Sequence, residues 1–158
     1  MKKKVLVSAC LLGKNCRFNG ENSHLPDLEG LDVDFIPVCP EEAGNLGTPR
    51  PAAEMQKSAE SILNGNGSIL THDGKDVTEK FIQGAEESLK TGINSGAECA
   101  ILKSRSPSCG VGKIYDGSFT NSLIDGDGIF AHLCQQSGIN CISSDDLDKI
   151  INTLEKLK

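Results

Sequence analysis

The chain has 158 residues, a net charge of −6, a hydrophobic share of 37% and a charged share of 24%. These values are typical of one soluble globular domain, and residues 1–158 are treated as one unit. The acidic charge argues against a nucleic-acid polymer as partner, because backbone phosphates are bound by a basic face. No apolar run has the roughly 20 residues of a membrane span or forms a signal-peptide core at the N-terminus. We therefore expect a cytoplasmic protein without a membrane partner, whose oligomeric state the sequence leaves open.

The order of apolar segments predicts an α/β fold. Four strands are expected, at residues 2–9, 33–38, 99–102 and 139–142. Three helices are expected: one over 78–92 capped by Asp76, one between Asp127 and Gly138, and a last one capped by Ser143 or Ser144. Continuous apolar strands that alternate with helices indicate a mainly parallel sheet with helices on both faces, as in Rossmann-like or flavodoxin-like domains.

Two hairpins are expected as insertions in this fold. The first spans 61–78, with its arms at 62–63 and 69–70, and the second spans 114–124. Both contain the Asn, Asp and Gly residues that favour tight turns. Residues 52–58, before the first hairpin, are expected to form a helical turn.

Seven cysteines are many for a cytosolic domain of this size, and an odd number argues against a disulfide framework. Cys10, Cys39 and Cys109 each follow a predicted strand, in or beside a loop with Gly, Pro or polar residues. In parallel α/β sheets, ligands bind beyond the carboxyl ends of the strands. We therefore expect these three thiols to converge, and thiolates from separate loops suit a soft metal or an iron–sulfur cluster.

The other four cysteines are interpreted differently. Cys99, Cys134 and Cys141 lie within apolar strands or on the apolar face of a helix, so they are expected to be small buried hydrophobic residues. Five residues separate Cys16 from Cys10, which is not a zinc-ribbon spacing. The residues leave three roles open for it: a fourth metal ligand, a resolving thiol or a redox partner of Cys10.

Six motifs carry a family resemblance, and they occur in the family's order at residues 7–13, 16–20, 38–41, 48–54, 103–110 and 114–119. Together they resemble the family known as domain of unknown function 523, which includes 2-thiouracil desulfurase. The resemblance runs nearly from end to end. Two departures are Phe18-Asn19, where the family often has Tyr-Asp, and Gly44-Asn45, where it often has Gly-Gly. The first removes a phenol and a carboxylate, so the preferred substrate stays open.

The resemblance implies an iron–sulfur desulfurase that performs no net redox chemistry. Three cysteines, which by motif are Cys10, Cys39 and Cys109, would hold a [4Fe-4S] cluster and leave one iron open. The sulfur of a thiolated pyrimidine base or nucleoside, such as 2-thiouracil, would bind that iron, and water would replace it to give uracil and hydrosulfide. Such a cluster is labile to oxygen, so an aerobic preparation is expected to lose or exchange it.

Further candidate residues combine the resemblance with side-chain chemistry. Glu41, next to a ligand cysteine, is expected to act as the base, with Glu42 as its competitor. The catalytic candidates are Glu41, Ser104, Ser106 and Ser108, and the substrate-binding candidates are Ser8, Arg17 and Glu42. Arg50 is expected either to pair with Glu54 or to approach the negative charge of the cluster.

Two other functions remain as alternatives. One is a binding module without turnover, in which zinc or an iron–sulfur cluster takes Cys16 as its fourth ligand. The other is a thiol redox protein that uses Cys10 and Cys16.

Overall fold

The computed structural model describes residues 2–156. Eight strands occur in this part of the chain: β1 (Lys4–Ser8), β2 (Asp34–Val38), β3 (Ala53–Met55), β4 (Ile69–Thr71), β5 (Cys99–Leu102), β6 (Lys113–Tyr115), β7 (Leu123–Asp125) and β8 (Asn140–Ser143). The α-helices are α1 (Pro40–Ala43), α2 (Ala59–Leu63), α3 (Thr78–Ser95), α4 (Ile129–Gln136) and α5 (Leu147–Lys156). Two 3₁₀ turns lie at Ala9–Leu12 and Pro26–Leu28. Within 2–156, no helix is both long enough and apolar enough to cross a membrane.

The centre of the fold is a four-stranded parallel sheet in the order β2-β1-β5-β8. The predicted α/β class is therefore confirmed, and each of these four strands lies within one or two residues of its predicted range. The chain moves outward from β1 to β2 and then returns to the other side of β1 as β5. The carboxyl ends of β1 and β5 thus form the switch point where such sheets bind ligands.

Alternate side chains of the central strands pack on opposite faces of the sheet. Val5 and Val7 of β1 belong to one buried cluster together with Leu154 of α5. Leu6, between them, belongs to a second buried cluster, which includes Phe81 of α3 and residues of α4. Each fully buried side chain of this kind contributes about 1.5–3 kcal/mol relative to an exposed one. Helices therefore cover both faces, as predicted, and the carboxyl edge of the sheet is left to loops.

Two antiparallel pairs are inserted in the fold. In the first, the predicted second arm at 69–70 lies in β4, but the first arm is formed by other residues than predicted. The strands of this pair are β3 and β4, so residues 52–58 do not form a helical turn. Residues 62–63, the predicted first arm, lie in α2, where the Ser58 hydroxyl accepts a hydrogen bond from the Ser61 N–H at 3.2 Å. An apolar pair this short fits a strand or a helix equally well, and the serine cap decides it. The second pair, β6 with β7, confirms the predicted hairpin.

The predicted cap of α4 is wrong, and the predicted cap of α3 lies one residue before the position that directly precedes the helix. The residue directly before α3 is Val77. Asp76 accepts a hydrogen bond from the backbone N–H of Thr78, the first residue of α3, at 2.9 Å. The residue before α4 is Gly128, and Asp127 Oδ1 accepts a hydrogen bond from the Gly112 N–H at 2.7 Å. Asp127 therefore ties the loop after β5 to the start of α4.

The contact between α1 and α3 depends on glycine. A Cβ atom on Gly84 would lie 1.8 Å from the carbonyl oxygen of Pro40, which is a backbone atom of α1 and cannot move aside as the end of a flexible side chain would. We expect Gly84→Ala to destabilise the fold by about 1–3 kcal/mol, as is typical of overpacking. Urea denaturation of this variant and of Gln83→Ala, an exposed neighbour on α3, measures the effect. An equal midpoint for the two variants would contradict the prediction.

Candidate active site

Three thiols from three separate chain segments line one cavity at the carboxyl edge of the sheet. Cys10 lies in the 3₁₀ turn directly after β1, Cys39 lies between β2 and α1, and Cys109 lies in the loop between β5 and β6. All three line a cavity of about 270 Å³. This volume is near the lower end of the roughly 300–1,000 Å³ of small-molecule pockets.

Cys16 lines the same cavity. It is buried, and the neighbouring thiols of Cys10 and Cys39 both shift its pKa. The Cys10 thiol is the largest influence on Cys16 and raises its pKa to about 11. The Cys39 thiol in turn donates to the carbonyl oxygen of Cys16 at 3.8 Å. Cys16 therefore sits between two of the three predicted ligands.

Cys109 is enclosed, and hydroxyl groups surround its sulfur. Burial raises the pKa of this thiol to about 12, while hydrogen bonds from Ser8 and Ser108 act in the opposite direction. The Ser108 hydroxyl lies 3.9 Å from the sulfur. A thiol with so high a pKa keeps its proton until an electrophile such as a metal ion displaces it.

Local hydrogen bonds shape the loop that carries Cys109. The Ser106 hydroxyl accepts from the backbone N–H groups of Ser108 and Cys109 at 3.1 and 3.0 Å. Position 110, directly after the thiol, requires glycine, because a Cβ atom there would lie 2.7 Å from the Ser106 carbonyl oxygen. The Pro107 carbonyl oxygen accepts from the first N–H of α4 at 2.8 Å. The loop is therefore held by its own serine and by a helix end.

Glu41 joins this loop to a buried arginine. One carboxylate oxygen accepts from Ser108 Oγ at 3.0 Å and from Ser106 Oγ at 3.4 Å. The other lies 3.3 Å from Arg50 Nε, and the two side chains are 17% and 5% exposed. Arg50 also donates to the carbonyl oxygen of Cys16 at 2.8 Å. Of the two expectations for Arg50, the pairing with Glu54 is therefore not what the structure shows.

Glu42 points elsewhere. Its carboxylate pairs with Lys14 Nζ at 3.1 Å and accepts from Thr48 Oγ1 at 2.5 Å. It is not among the residues that line the cavity. Of the two competing carboxylates, the geometry brings only Glu41 to the thiols.

The remaining predicted polar residues do line the cavity. Ser8 Oγ accepts from the Lys103 N–H at 2.9 Å and so joins the ends of β1 and β5. The Ser104 hydroxyl accepts from Lys103 Nζ at 3.2 Å. The Ser104 N–H donates to Ser144 Oγ at 3.0 Å, so Ser144 holds this loop, and the start of α5 is bonded by Asp146 instead.

Three cations give the cavity a positive rim although the chain is acidic overall. Arg17, Lys103 and Arg105 all line it. Burial lowers the pKa of Lys103, and the positive charges of Arg105 and Arg17 lower it further. Cations that repel one another in this way favour a negatively charged occupant.

The sequence matches the 2-thiouracil desulfurase family model over residues 5–146. The chain belongs to the 2-thiouracil desulfurase family. The uncharacterized protein YbbK of Bacillus subtilis (strain 168) is 39% identical over 150 residues, which cover 93% of this chain and 99% of that protein. The solved structure of the [4Fe-4S]-dependent thiouracil desulfidase TudS, a DUF523 protein, matches with a TM-score of 0.85 and 37% identity. That match covers 98% of this chain and 99% of the other. The predicted family resemblance is thus confirmed.

The donor set of this 2-thiouracil desulfurase family member fits a thiolate-held cluster. Within 2–156, no three His, Cys, Asp or Glu side chains are arranged around a single metal ion. The thiols of Cys10, Cys39 and Cys109 instead border a shared volume and form no disulfide. Soft sulfur donors, hydroxyl groups beside Cys109 and a cationic rim are what a negatively charged iron–sulfur cluster requires.

Two aromatic residues, one acidic residue and one amide residue of the cavity wall were assigned no site role from the sequence. They are Phe18, Glu54, Tyr115 and Asn121. Phe18, Glu54 and Tyr115 lie in the motifs of the family resemblance, so their position in a motif could have identified them as site residues. Asn121 lies beyond the last motif, in a hairpin turn, where an asparagine is expected for its backbone preference alone.

Proposed function

We propose that this protein is a [4Fe-4S]-dependent desulfurase that removes sulfur from a thiolated pyrimidine of the 2-thiouracil class and gives uracil and hydrosulfide. The observation that carries the proposal is the cavity itself. It combines three unbridged thiols with Glu41, whose carboxylate is held in place by Ser108 and Arg50. The family membership and the structural similarity to TudS support the same activity.

Cys10, Cys39 and Cys109 would hold the cluster. When bound, the cluster supplies an iron with Lewis acidity, which suits the soft sulfur of a thiocarbonyl group. Ser8 and Ser108 hydrogen-bond to the Cys109 sulfur and stabilise its thiolate form, as outer-shell donors do in other metal sites. The cationic rim offsets the negative charge of the thiolates.

Glu41 acts as the general base in this proposal. Its two oxygens have about four acceptor sites between them, so hydrogen bonds from Ser106, Ser108 and Arg50 leave one site for a water molecule. Glu41 takes a proton from that water as the water oxygen bonds to the thiocarbonyl carbon. The C–S bond then breaks with its electron pair on the sulfur, and Glu41 passes its proton to that sulfur to give hydrosulfide. The remaining hydroxyl proton is released to solvent as the carbonyl group of uracil forms. No oxidant or reductant is consumed.

A turnover assay tests this function directly. Protein purified without oxygen is expected to be brown, to contain iron and sulfide, and to release one hydrosulfide and one uracil per 2-thiouracil consumed. Protein stripped of its cluster is the control and is expected to release neither product. An intact cluster that turns over neither 2-thiouracil nor 4-thiouracil would reject the substrate class.

A second candidate function rests on the position of Cys16. Because this thiol lines the same cavity as Cys10 and Cys39, it could serve as a fourth ligand of a closed, non-catalytic site or as a redox partner of Cys10. A colourless anaerobic preparation that contains zinc would support the closed site. A metal-free protein in which Cys10 and Cys16 form a disulfide reversibly would support the redox reading.

A further inference from the structure

We propose that the loop between β6 and β7 recognises the pyrimidine ring, with the Asn121 carboxamide binding the ring edge at N3 and Glu54 acting as a positioning residue for the loop. The identity of the ring rests on the proposed function. The placement of the loop at the cavity does not, because both Tyr115, at the end of β6, and Asn121 line the cavity that the three thiols share.

A buried carboxylate holds this loop against the neighbouring antiparallel pair. Glu54 of β3 is 8% exposed, and its Oε1 accepts from the backbone N–H groups of Gly117 at 2.9 Å and Phe119 at 3.2 Å. Gln56 Nε2 donates to the Gly117 carbonyl oxygen at 3.2 Å. Hydrogen bonds to a charged acceptor are stronger than those between neutral groups. Glu54 is therefore the main attachment of the loop.

Two close contacts fix the same loop further. Gly117 has φ +95°, and a Cβ atom there would lie 2.8 Å from the Met55 carbonyl oxygen, so only glycine allows this approach to β3. The Phe119 ring meets the His72 ring edge-on, with centroids 5.3 Å apart. A loop fixed at several points presents its side chains to the cavity at a lower entropic cost on binding.

The polar side chains of the cavity differ in whether they already have a hydrogen-bond partner within the protein. The serines of the cavity and Glu41 are hydrogen-bonded to one another or to Lys103. Within residues 2–156, neither the Asn121 carboxamide nor the Tyr115 hydroxyl has a hydrogen-bond partner. These two groups are therefore available to a ligand without breaking an existing bond.

A carboxamide matches the edge of a pyrimidine such as uracil. It presents an N–H donor and a carbonyl acceptor side by side, and the ring presents a carbonyl acceptor next to the N3–H donor. Asn121 has φ +61°, a left-handed conformation that asparagine tolerates better than most residues. The Tyr115 hydroxyl also lines the cavity, but a single hydroxyl group cannot pair with the ring carbonyl and the N3–H at the same time.

Asn121→Ala tests the recognition step in the anaerobically purified holoprotein. Two lost hydrogen bonds are expected to raise KM for 2-thiouracil about tenfold to hundredfold, with a much smaller change in kcat. Uracil has no sulfur, so its binding measured by calorimetry is a second readout, and it is expected to weaken by a similar factor. The matched control is Thr120→Ala, an exposed neighbour in the same turn that does not line the cavity.

N3-methyl-2-thiouracil tests the chemistry of the contact. The methyl group removes the N3–H donor and blocks the pairing, so the wild-type protein is expected to discriminate against this compound. Asn121→Ala is expected to lose most of that discrimination. An unchanged KM and unchanged uracil affinity in Asn121→Ala, or a wild-type protein indifferent to the methyl group, would overturn the proposal.

Glu54 variants separate positioning from general stability. Glu54→Ala is expected to raise KM and weaken uracil binding as Asn121→Ala does. Glu54→Gln keeps an acceptor oxygen but loses the charge, so it is expected to give a smaller increase of the same kind. If Glu54→Ala does not fold, Gln56→Ala, which removes a weaker attachment of the loop, is expected to give a smaller increase of the same kind. Normal kinetics in Glu54→Ala would remove Glu54 from the proposal.

The outcomes also separate this inference from the desulfurase function. If no variant releases hydrosulfide but Asn121→Ala loses uracil binding, the desulfurase function fails and the recognition loop stands. If hydrosulfide release is normal and Asn121→Ala keeps both KM and uracil affinity, the recognition loop alone fails. If the wild-type protein neither releases hydrosulfide nor binds uracil, both are rejected.

Discussion

Changing any one of Cys10, Cys39 or Cys109 to alanine is expected to abolish the cluster, whereas Cys16→Ala is expected to retain it. Each of the three thiols comes from a different chain segment, and Cys16, the fourth thiol of the cavity wall, has its own position rather than that of Cys10. A cluster held by two thiolates loses a third of its protein ligands and is exposed to solvent. The predicted result is loss of brown colour and of bound iron and sulfide in three variants out of four.

The measurements are iron and acid-labile sulfide per chain, together with the visible absorbance, all under anaerobic conditions. Cys99→Ala is the matched control because Cys99 is also buried, in β5, but does not line the cavity. If Cys16→Ala also loses the cluster, the site has four ligands and no open iron. That outcome would favour the closed binding module over the desulfurase.

The parallel sheet could be predicted because its strands carry their own signal. A strand buried on both faces must be apolar throughout, and residues 5–7 and 99–102 stand out for that reason. Such strands also fix where ligands bind, since their carboxyl ends share one edge. The convergence of Cys10, Cys39 and Cys109 on one cavity follows from this geometry and from little else in the sequence.

Elements that depend on a partner far along the chain could not be predicted in the same way. β3 has three residues and exists because β4 pairs with it. Asp127 has the sequence context of a helix cap, yet its carboxylate accepts a hydrogen bond from the N–H of Gly112 instead. In both cases a tertiary contact overrides a weak local preference.

The same limit applies to the candidate site. The sequence indicated Glu41 as the base but could not separate it from Glu42, because the two are adjacent. What separates them is that Arg50 and Ser108 bind one carboxylate, while Lys14 binds the other. Spacing along the chain contains no information about these partners.

Glu41→Gln is expected to lower kcat for desulfuration by about 10²–10⁴-fold, the usual contribution of a general base, while the cluster is retained. Glutamine keeps the size of the side chain and an acceptor oxygen for the Ser108 hydroxyl, but it cannot take a proton from water. It also leaves the buried Arg50 without its anionic partner, so some loss of stability is expected as well. Iron content and urea denaturation of the variant separate that loss from the catalytic effect.

Glu42→Gln is the matched control, since it makes the same chemical change one residue away. Its carboxylate bonds to Lys14 and Thr48 outside the cavity, so we expect kcat to stay within a few-fold of wild type. Ser108→Ala is expected to give an intermediate loss, because it removes one of the hydrogen bonds that orient Glu41 but leaves the base itself. Equal losses in Glu41→Gln and Glu42→Gln would mean that the α1 segment contributes charge to the site and that the proton acceptor is another group. A large loss in Glu42→Gln alone would transfer the role of base to that residue.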